Sequence, residues 1–198
     1  MIKFHKMSKD VPYKLFKNKY NESLKANQKN IEAICISSYS RELNEVSSRF
    51  VNLKIITDKE FIFFSNYESV KAKDFASHDQ ITALIYWHST DTQIRMKAKI
   101  NKTSKEYNDK YFSERDEKKN ALAISSNQSK PIESYENVKK IYLKSIESDN
   151  LNICPDYWGG FAFVPYYFEF WQGHKSRLNK REVYELKNDV WKSYFLQP

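Results

Sequence analysis

The stretch Phe170-Trp171-Gln172-Gly173-His174-Lys175-Ser176-Arg177-Leu178-Asn179-Lys180-Arg181 decides how this chain is read. It joins two aromatic rings, an amide and a glycine to the most basic window of the sequence, Lys175 to Arg181. The chain has only three glycines, and Gly159 and Gly160 lie just upstream of Gly173. That scarcity excludes a glycine-rich phosphate cradle, which needs several glycines beside a helix start. Any phosphate held by this protein must be gripped by Arg, Lys, Ser and Gln side chains. Scarce glycine, two Trp and two Arg gathered in one region indicate a built site.

Working outward, 198 residues imply one principal domain with enough chain to bury a core. A composition 40% hydrophobic and 16% aromatic excludes disorder. The net charge of +8 is spread along the chain rather than gathered in an arm, so a small anionic ligand is favoured over nucleic acid. Cys35 and Cys154 have no zinc spacing and are expected to be reduced and structural. The N-terminus lacks an apolar signal core, and no apolar run approaches membrane-spanning length. The expectation is a cytoplasmic protein with neither membrane nor nucleic-acid partner.

Periodicity predicts a helix over Val11 to Gln28, with Phe16, Tyr20 and Leu24 on one face. Strands are expected at Ile31 to Ser38, Ser47 to Ile56 and Glu60 to Ser65, the last two joined by a turn at Thr57-Asp58-Lys59. Ser69 reads as an N-cap. Ile81 to Trp87 and Thr92 to Ile100 read as a hairpin. Helices follow from the Ser104 cap to Phe112, from Asp116 to Ile124, and from Pro131 to Ser148. Trp158-Gly159-Gly160 reads as a sharp turn. Three strands close the chain: Ala162 to Gln172, then Glu182 to Leu186 and Val190 to Phe195 over an Asn188-Asp189 turn. Strands outnumber helices and do not alternate with them, which points to an antiparallel barrel with peripheral helices.

Six motifs in order carry a resemblance. They are Ser48-Arg49-Phe50-Val51-Asn52-Leu53-Lys54, Phe64-Ser65-Asn66-Tyr67-Glu68-Ser69-Val70-Lys71, Tyr86-Trp87-His88 with Gln93, Tyr111-Phe112-Ser113-Glu114-Arg115, Gln128-Ser129, and the opening stretch with Arg177, Asn179 and Arg181. The chain resembles the pyridoxine/pyridoxamine 5′-phosphate oxidases from about Asp10 to Pro198. The resemblance implies a mainly β, FMN-binding split barrel working as a homodimer. Residues 1–30 would form an N-terminal helical segment. Residues 31–198 would form the FMN-binding domain, with the dimerisation and signature region at its C-terminal end.

The resemblance also implies roles. Arg49 and Lys71 would serve the flavin phosphate, and the Arg49 to Lys54 backbone would lie along the ring. Phe64, Ser65, Gln93, Gln128 and Ser129 would complete the cofactor contacts. Trp171 and Arg181 would reach the flavin across a dimer interface. A phosphate-ester substrate would be held by Lys54, Tyr111, Arg115 and Lys119. Arg177 and Asn179 would flank its ring as the catalytic pair. The implied chemistry is hydride transfer from the substrate to flavin, with dioxygen as acceptor and hydrogen peroxide as product.

Three positions depart from the family pattern. Val70 stands where the family has Arg, Lys119 where it has Ser, and Asn179 where it has His. Two of the three lie on the substrate side. A sister flavin oxidase acting on another ring compound, as in phenazine biosynthesis, and a flavin-binding protein without turnover therefore stay open beside the first reading.

Overall fold

The computed structural model describes residues Met1–Pro198. Ten strands form one sheet: β1 (Lys3–His5), β2 (Ala33–Ser40), β3 (Glu45–Asn52), β4 (Ile55–Thr57), β5 (Glu60–Asn66), β6 (Gln80–Trp87), β7 (Thr92–Lys102), β8 (Trp158–Gln172), β9 (Lys180–Lys187) and β10 (Val190–Leu196). Five helices flank it: α1 (Val11–Lys25), α2 (Val70–Ser77), α3 (Lys105–Ser113), α4 (Glu117–Ser125) and α5 (Tyr135–Ser148). The spatial order is β1-β4-β5-β8-β7-β6-β2-β3, with β9 and β10 branching from β8. All pairs are antiparallel except β1 with β4, so the sheet is mixed at one edge. The expected mainly β architecture with peripheral helices is what the chain forms.

The long strand β8 organises the sheet, pairing with β5, β7 and β9. Opposite Lys97 and Ala98 its register slips, leaving Tyr166 unpaired beside Pro165. Proline has no N–H to give to a ladder, so a bulge there lets the strand bend between its partners. Helix α1 lays one face on the core. Phe16 packs edge-on against Phe61 and Trp87, with ring centroids 5.0 and 5.7 Å away, and Tyr13 meets Phe168 at 5.3 Å. These residues share one core with Ile34, Ile36, Ile94 and Phe163. The buried stripe of α1 runs through Tyr13, Phe16 and Tyr20, whereas Leu24 is exposed near the helix end.

Three expectations need correction, and one strand went unread. The strand expected over Ser47 to Ile56 is two strands, because Leu53 turns into the core and the backbone changes partners there. Leu53 donates to Glu32 O, and Lys54 donates to Ile62 O. Strand β1 was too short to be read as a period. Helix α5 starts after Ser134, whose hydroxyl accepts from the Asn137 N–H, and not at Pro131. Gly159 and Gly160 lie inside β8, paired with Ser65 and Phe64, instead of forming a turn. The turns at Asn188-Asp189 and Asp58 do form, with left-handed φ values of 50°, 61° and 44°. Both cysteines are free, and burial pushes the Cys154 thiol up to about 11. No helix is long and apolar enough to cross a membrane.

The two glycines in β8 allow α3 to lie against the strand. A Cβ on Gly159 would strike the Tyr67 hydroxyl and the Asn108 amide, and one on Gly160 would strike Thr103. In their place Asn108 accepts from the Gly160 N–H at 2.9 Å and donates to Tyr67 Oη at 3.0 Å. Gly159→Ala is therefore expected to cost about 1–3 kcal/mol by overpacking. Urea unfolding of the variant checks it, and unchanged stability would show that the strand and helix can separate freely.

Candidate active site

Twelve of the residues expected at the site line one cavity of about 520 Å³: Arg49, Phe50, Val51, Asn52, Lys54, Phe64, Ser65, Lys71, Tyr111, Arg115, Gln128 and Ser129. Val70 lines it as well. Its size suits a cofactor-sized ligand. Strand β3 supplies one wall, β5 and the start of α2 another, and α3 with the segment after α4 the rest.

Lys71 is the most constrained cation in this cavity. It is buried at the first turn of α2 and donates to Ser65 Oγ at 2.8 Å and Ser69 Oγ at 3.1 Å. The Ser69 hydroxyl donates back to Asn66 O instead of capping the helix. No carboxylate pairs with Lys71. Burial, and then the charge of Arg49, lower its ammonium to about 8. Ser65 also donates to Gln128 Oε1 at 3.1 Å, and the same oxygen accepts from the Asn66 N–H. The Gln128 amide nitrogen is left free to donate.

Arg49 is held from behind. Its guanidinium donates to Ser38 Oγ at 2.7 Å and approaches Asp74 at 3.7 Å. Ser38 in turn donates to Asp74 at 2.7 Å. Asp74 and Ser38 were not singled out in the sequence. The available signal was the Lys71 to Asp74 spacing of three on one helix, which puts both on the same side.

A second cationic group lies around Tyr111. Its ring stacks on Phe64 with centroids 3.6 Å apart, and Phe64 stacks on Trp158 at 5.3 Å. Arg115 covers Trp158 at 4.9 Å and is anchored by Lys119 O and Asn120 Oδ1 at 3.0 and 3.1 Å. Burial lowers the Arg115 guanidinium and raises the Tyr111 phenol, although each partly offsets the shift of the other. Lys54 pairs with Glu32 at 3.7 Å. Lys119 does not line this cavity; it lines an adjoining one of about 230 Å³ together with Arg115 and Gln128. Leu53 is also outside, because its side chain is fully buried in the core.

The remaining candidates form a separate row. Gln93, Trp171 and Arg181 are register neighbours across β7, β8 and β9. Arg177 and Asn179 lie in the turn before β9, where Arg177 takes a left-handed φ of 58°. Asn179 Oδ1 accepts from the His174 N–H at 3.1 Å. The chain thus carries two candidate clusters, a cavity and a row with its adjoining turn.

A model described as the pyridoxine 5′-phosphate oxidase C-terminal dimerisation region matches residues 158–198. Pyridoxine/pyridoxamine 5′-phosphate oxidase 1 of Hydrogenovibrio crunogenus is 32% identical over 191 residues, covering 94% of this chain and 88% of that protein. Pyridoxamine 5′-phosphate oxidase of Saccharomyces cerevisiae is 35% identical over 196 residues, covering 96% and 86%. The chain belongs to the pyridoxine/pyridoxamine 5′-phosphate oxidase family. Its fold is also that of PhzG from Burkholderia lata, solved with tetrahydrophenazine-1-carboxylic acid, at a TM-score of 0.89 and 24% identity over 94% of this chain and 92% of that one. An FMN-binding protein from Nostoc punctiforme superposes at a TM-score of 0.78 with 11% identity, covering 96% and 99%.

Membership of the family brings FMN as the cofactor and makes the chain an oxidoreductase of the FMN oxidase type. The cavity fits that cofactor. A buried lysine with only hydroxyl partners, beside a second cation, is a costly arrangement for the free protein. A phosphate dianion offsets that cost.

Proposed function

We propose that this protein oxidises pyridoxamine or pyridoxine 5′-phosphate to pyridoxal 5′-phosphate, with dioxygen as acceptor and hydrogen peroxide as product. The observation that carries this reading is the pair of cationic groups in one cavity, Arg49 with Lys71 and Arg115 with Tyr111 and Lys54. Two phosphates need two such groups: one belongs to the cofactor, the other to a substrate that is itself a phosphate ester.

Bound FMN supplies the two-electron acceptor and the route to dioxygen. The protein binds and orients. Arg49 and Lys71 hold the cofactor phosphate, and the free amide of Gln128 donates to acceptors on the polyol or ring. The β3 backbone from Arg49 to Asn52 lines the flavin plane. Lys54, Tyr111 and Arg115 hold the substrate phosphate, and the anchoring of Arg115 by Lys119 O and Asn120 keeps that grip in place.

The working form is a homodimer in which Gln93, Trp171, Arg177, Asn179 and Arg181 complete the site of the other protomer. The match of residues 158–198 to a dimerisation region supports this. So does the exposure of Phe50, Leu84 and Tyr86, since Phe50 and Leu84 are both in register with Cys35 on one sheet face.

A second reading, a sister oxidase acting on another ring, is favoured by Asn179 in place of histidine. Asparagine cannot titrate near neutral pH or offer an aromatic edge. If this chain is a pyridoxamine-phosphate oxidase with a weakened catalytic pair, Asn179→His is expected to raise kcat on that substrate with KM little changed. An equal or lower kcat moves the assignment to the sister oxidase.

The whole reading is tested by the visible spectrum of the purified protein and by oxygen uptake with pyridoxamine 5′-phosphate. A yellow protein that consumes oxygen and releases peroxide is the expected result. A yellow protein inert to this substrate supports the second reading or a flavin-binding protein without turnover. A colourless protein that FMN cannot reconstitute overturns all three.

A further inference from the structure

Glu169 is only 1% exposed, yet it is an ionised carboxylate on the sheet face that carries Trp171. Each of its oxygens is engaged. Oε1 accepts from Arg181 Nε at 2.8 Å. Oε2 accepts from the Arg95 guanidinium and from the Tyr167 hydroxyl. Burial alone raises this carboxyl, but the bonds from Arg181 and Arg95 outweigh it and hold the group below its usual range.

Buried ion networks add little net stability, because desolvation cancels most of the attraction. What the bonds of this network do is tie down the side chains that they join. They restrict Arg181, whose Nε is tied to Glu169 and whose Nη1 donates to Gln197 O at 3.0 Å. Two of its five N–H donors are thereby committed, one on Nε and one on Nη1, and the other three remain to meet a ligand. A flexible arginine on a strand end is thereby held in one orientation.

We propose that Glu169 is a positioning residue for the flavin site, acting through Arg181. This rests on the reading above that Arg181 contacts the flavin. Arg95 neutralises the second oxygen of Glu169, so that the carboxylate is affordable where it is buried, and has no direct part in the cofactor contact.

The test is FMN titration of the apoprotein for four variants, with sedimentation to establish that each is dimeric like the wild type. Arg181→Gln is expected to raise the FMN dissociation constant about tenfold. Glu169→Gln should weaken binding to a similar extent and change the visible circular dichroism of bound flavin in the same way as Arg181→Gln. The double variant should bind no more than about twofold worse than Arg181→Gln alone, since there is then no arginine left to aim. Arg95→Gln should stay within about twofold of wild type. If Glu169→Gln does not fold, Glu169→Asp keeps the charge, pulls the carboxylate back by one methylene and is read in the same way.

Normal FMN affinity in Glu169→Gln beside weak affinity in Arg181→Gln overturns the positioning role and leaves the site assignment standing. So do multiplying effects in the double variant, or a loss in Arg95→Gln as large as that in Glu169→Gln. Normal affinity in Arg181→Gln removes Arg181 from the flavin site and takes the inference with it.

Discussion

Lys71→Met is expected to weaken FMN binding by about ten- to a hundredfold, the worth of one charge-assisted phosphate contact. The effect belongs at the upper end of that range. Val70 lines the cavity without bringing a charge to it, and Asp74 takes part of the charge of Arg49. Lys71 is thus the cation least compensated by the protein. Titration of the apoprotein with FMN, followed by flavin fluorescence, checks the prediction; an unchanged dissociation constant would remove Lys71 from the phosphate site.

The same residue sets a pH dependence. In the free protein its ammonium titrates near 8, below the ordinary value of 10.5. A phosphate at its side raises that value again, so binding above pH 8 takes up a proton. Affinity is full about a unit below pH 8 and falls by up to about tenfold per unit as pH rises above it. Stability of the apoprotein moves the other way. Between pH 8 and 10.5 the unfolded chain binds more protons at this group, so its contribution to stability rises with pH. Both slopes should vanish in Lys71→Met.

Arg115→Lys is expected to raise KM for pyridoxamine 5′-phosphate by about tenfold or more while FMN affinity stays within about twofold. The guanidinium uses one nitrogen to reach both Lys119 O and Asn120 Oδ1 while its plane covers Trp158. An ammonium cannot keep both anchors and present a fork to phosphate. Paired measurements of KM and FMN dissociation separate the two anion sites. A loss of FMN affinity equal to the change in KM would mean that the cavity holds one phosphate, not two.

The residues of the cavity were legible because they recur as short ordered motifs on separate elements. Arg49 to Lys54, Phe64 to Lys71, Tyr111 with Arg115, and Gln128-Ser129 are each local enough to read and together converge on one space. Leu53, buried in the core, is one exception, and Lys119 is the other. Its backbone anchors Arg115, but its side chain faces the adjoining cavity. The backing residues were not legible. Ser38, Asp74, Asn120 and Glu169 are ordinary polar residues in the sequence, and their meaning comes from what packs in front of them.

By itself the sequence determined the element types, the strand-rich class and the side-chain nature of any phosphate grip. Those follow from periodicity, turn chemistry and the lack of glycine, all of which act over a few residues. Only the tertiary structure decided where the barrel changes partners, at Leu53 and Lys54, because that depends on which backbone groups, Glu32 O and Ile62 O, come to lie beside them. It also decided that Gly159 and Gly160 are contact points for α3 and not a turn, since the reason lies in Asn108 and Thr103. Charge balance was decided at the same level. Whether Lys71 or Arg49 is free to meet an anion depends on which carboxylates and hydroxyls surround it, and a linear sequence does not hold those distances.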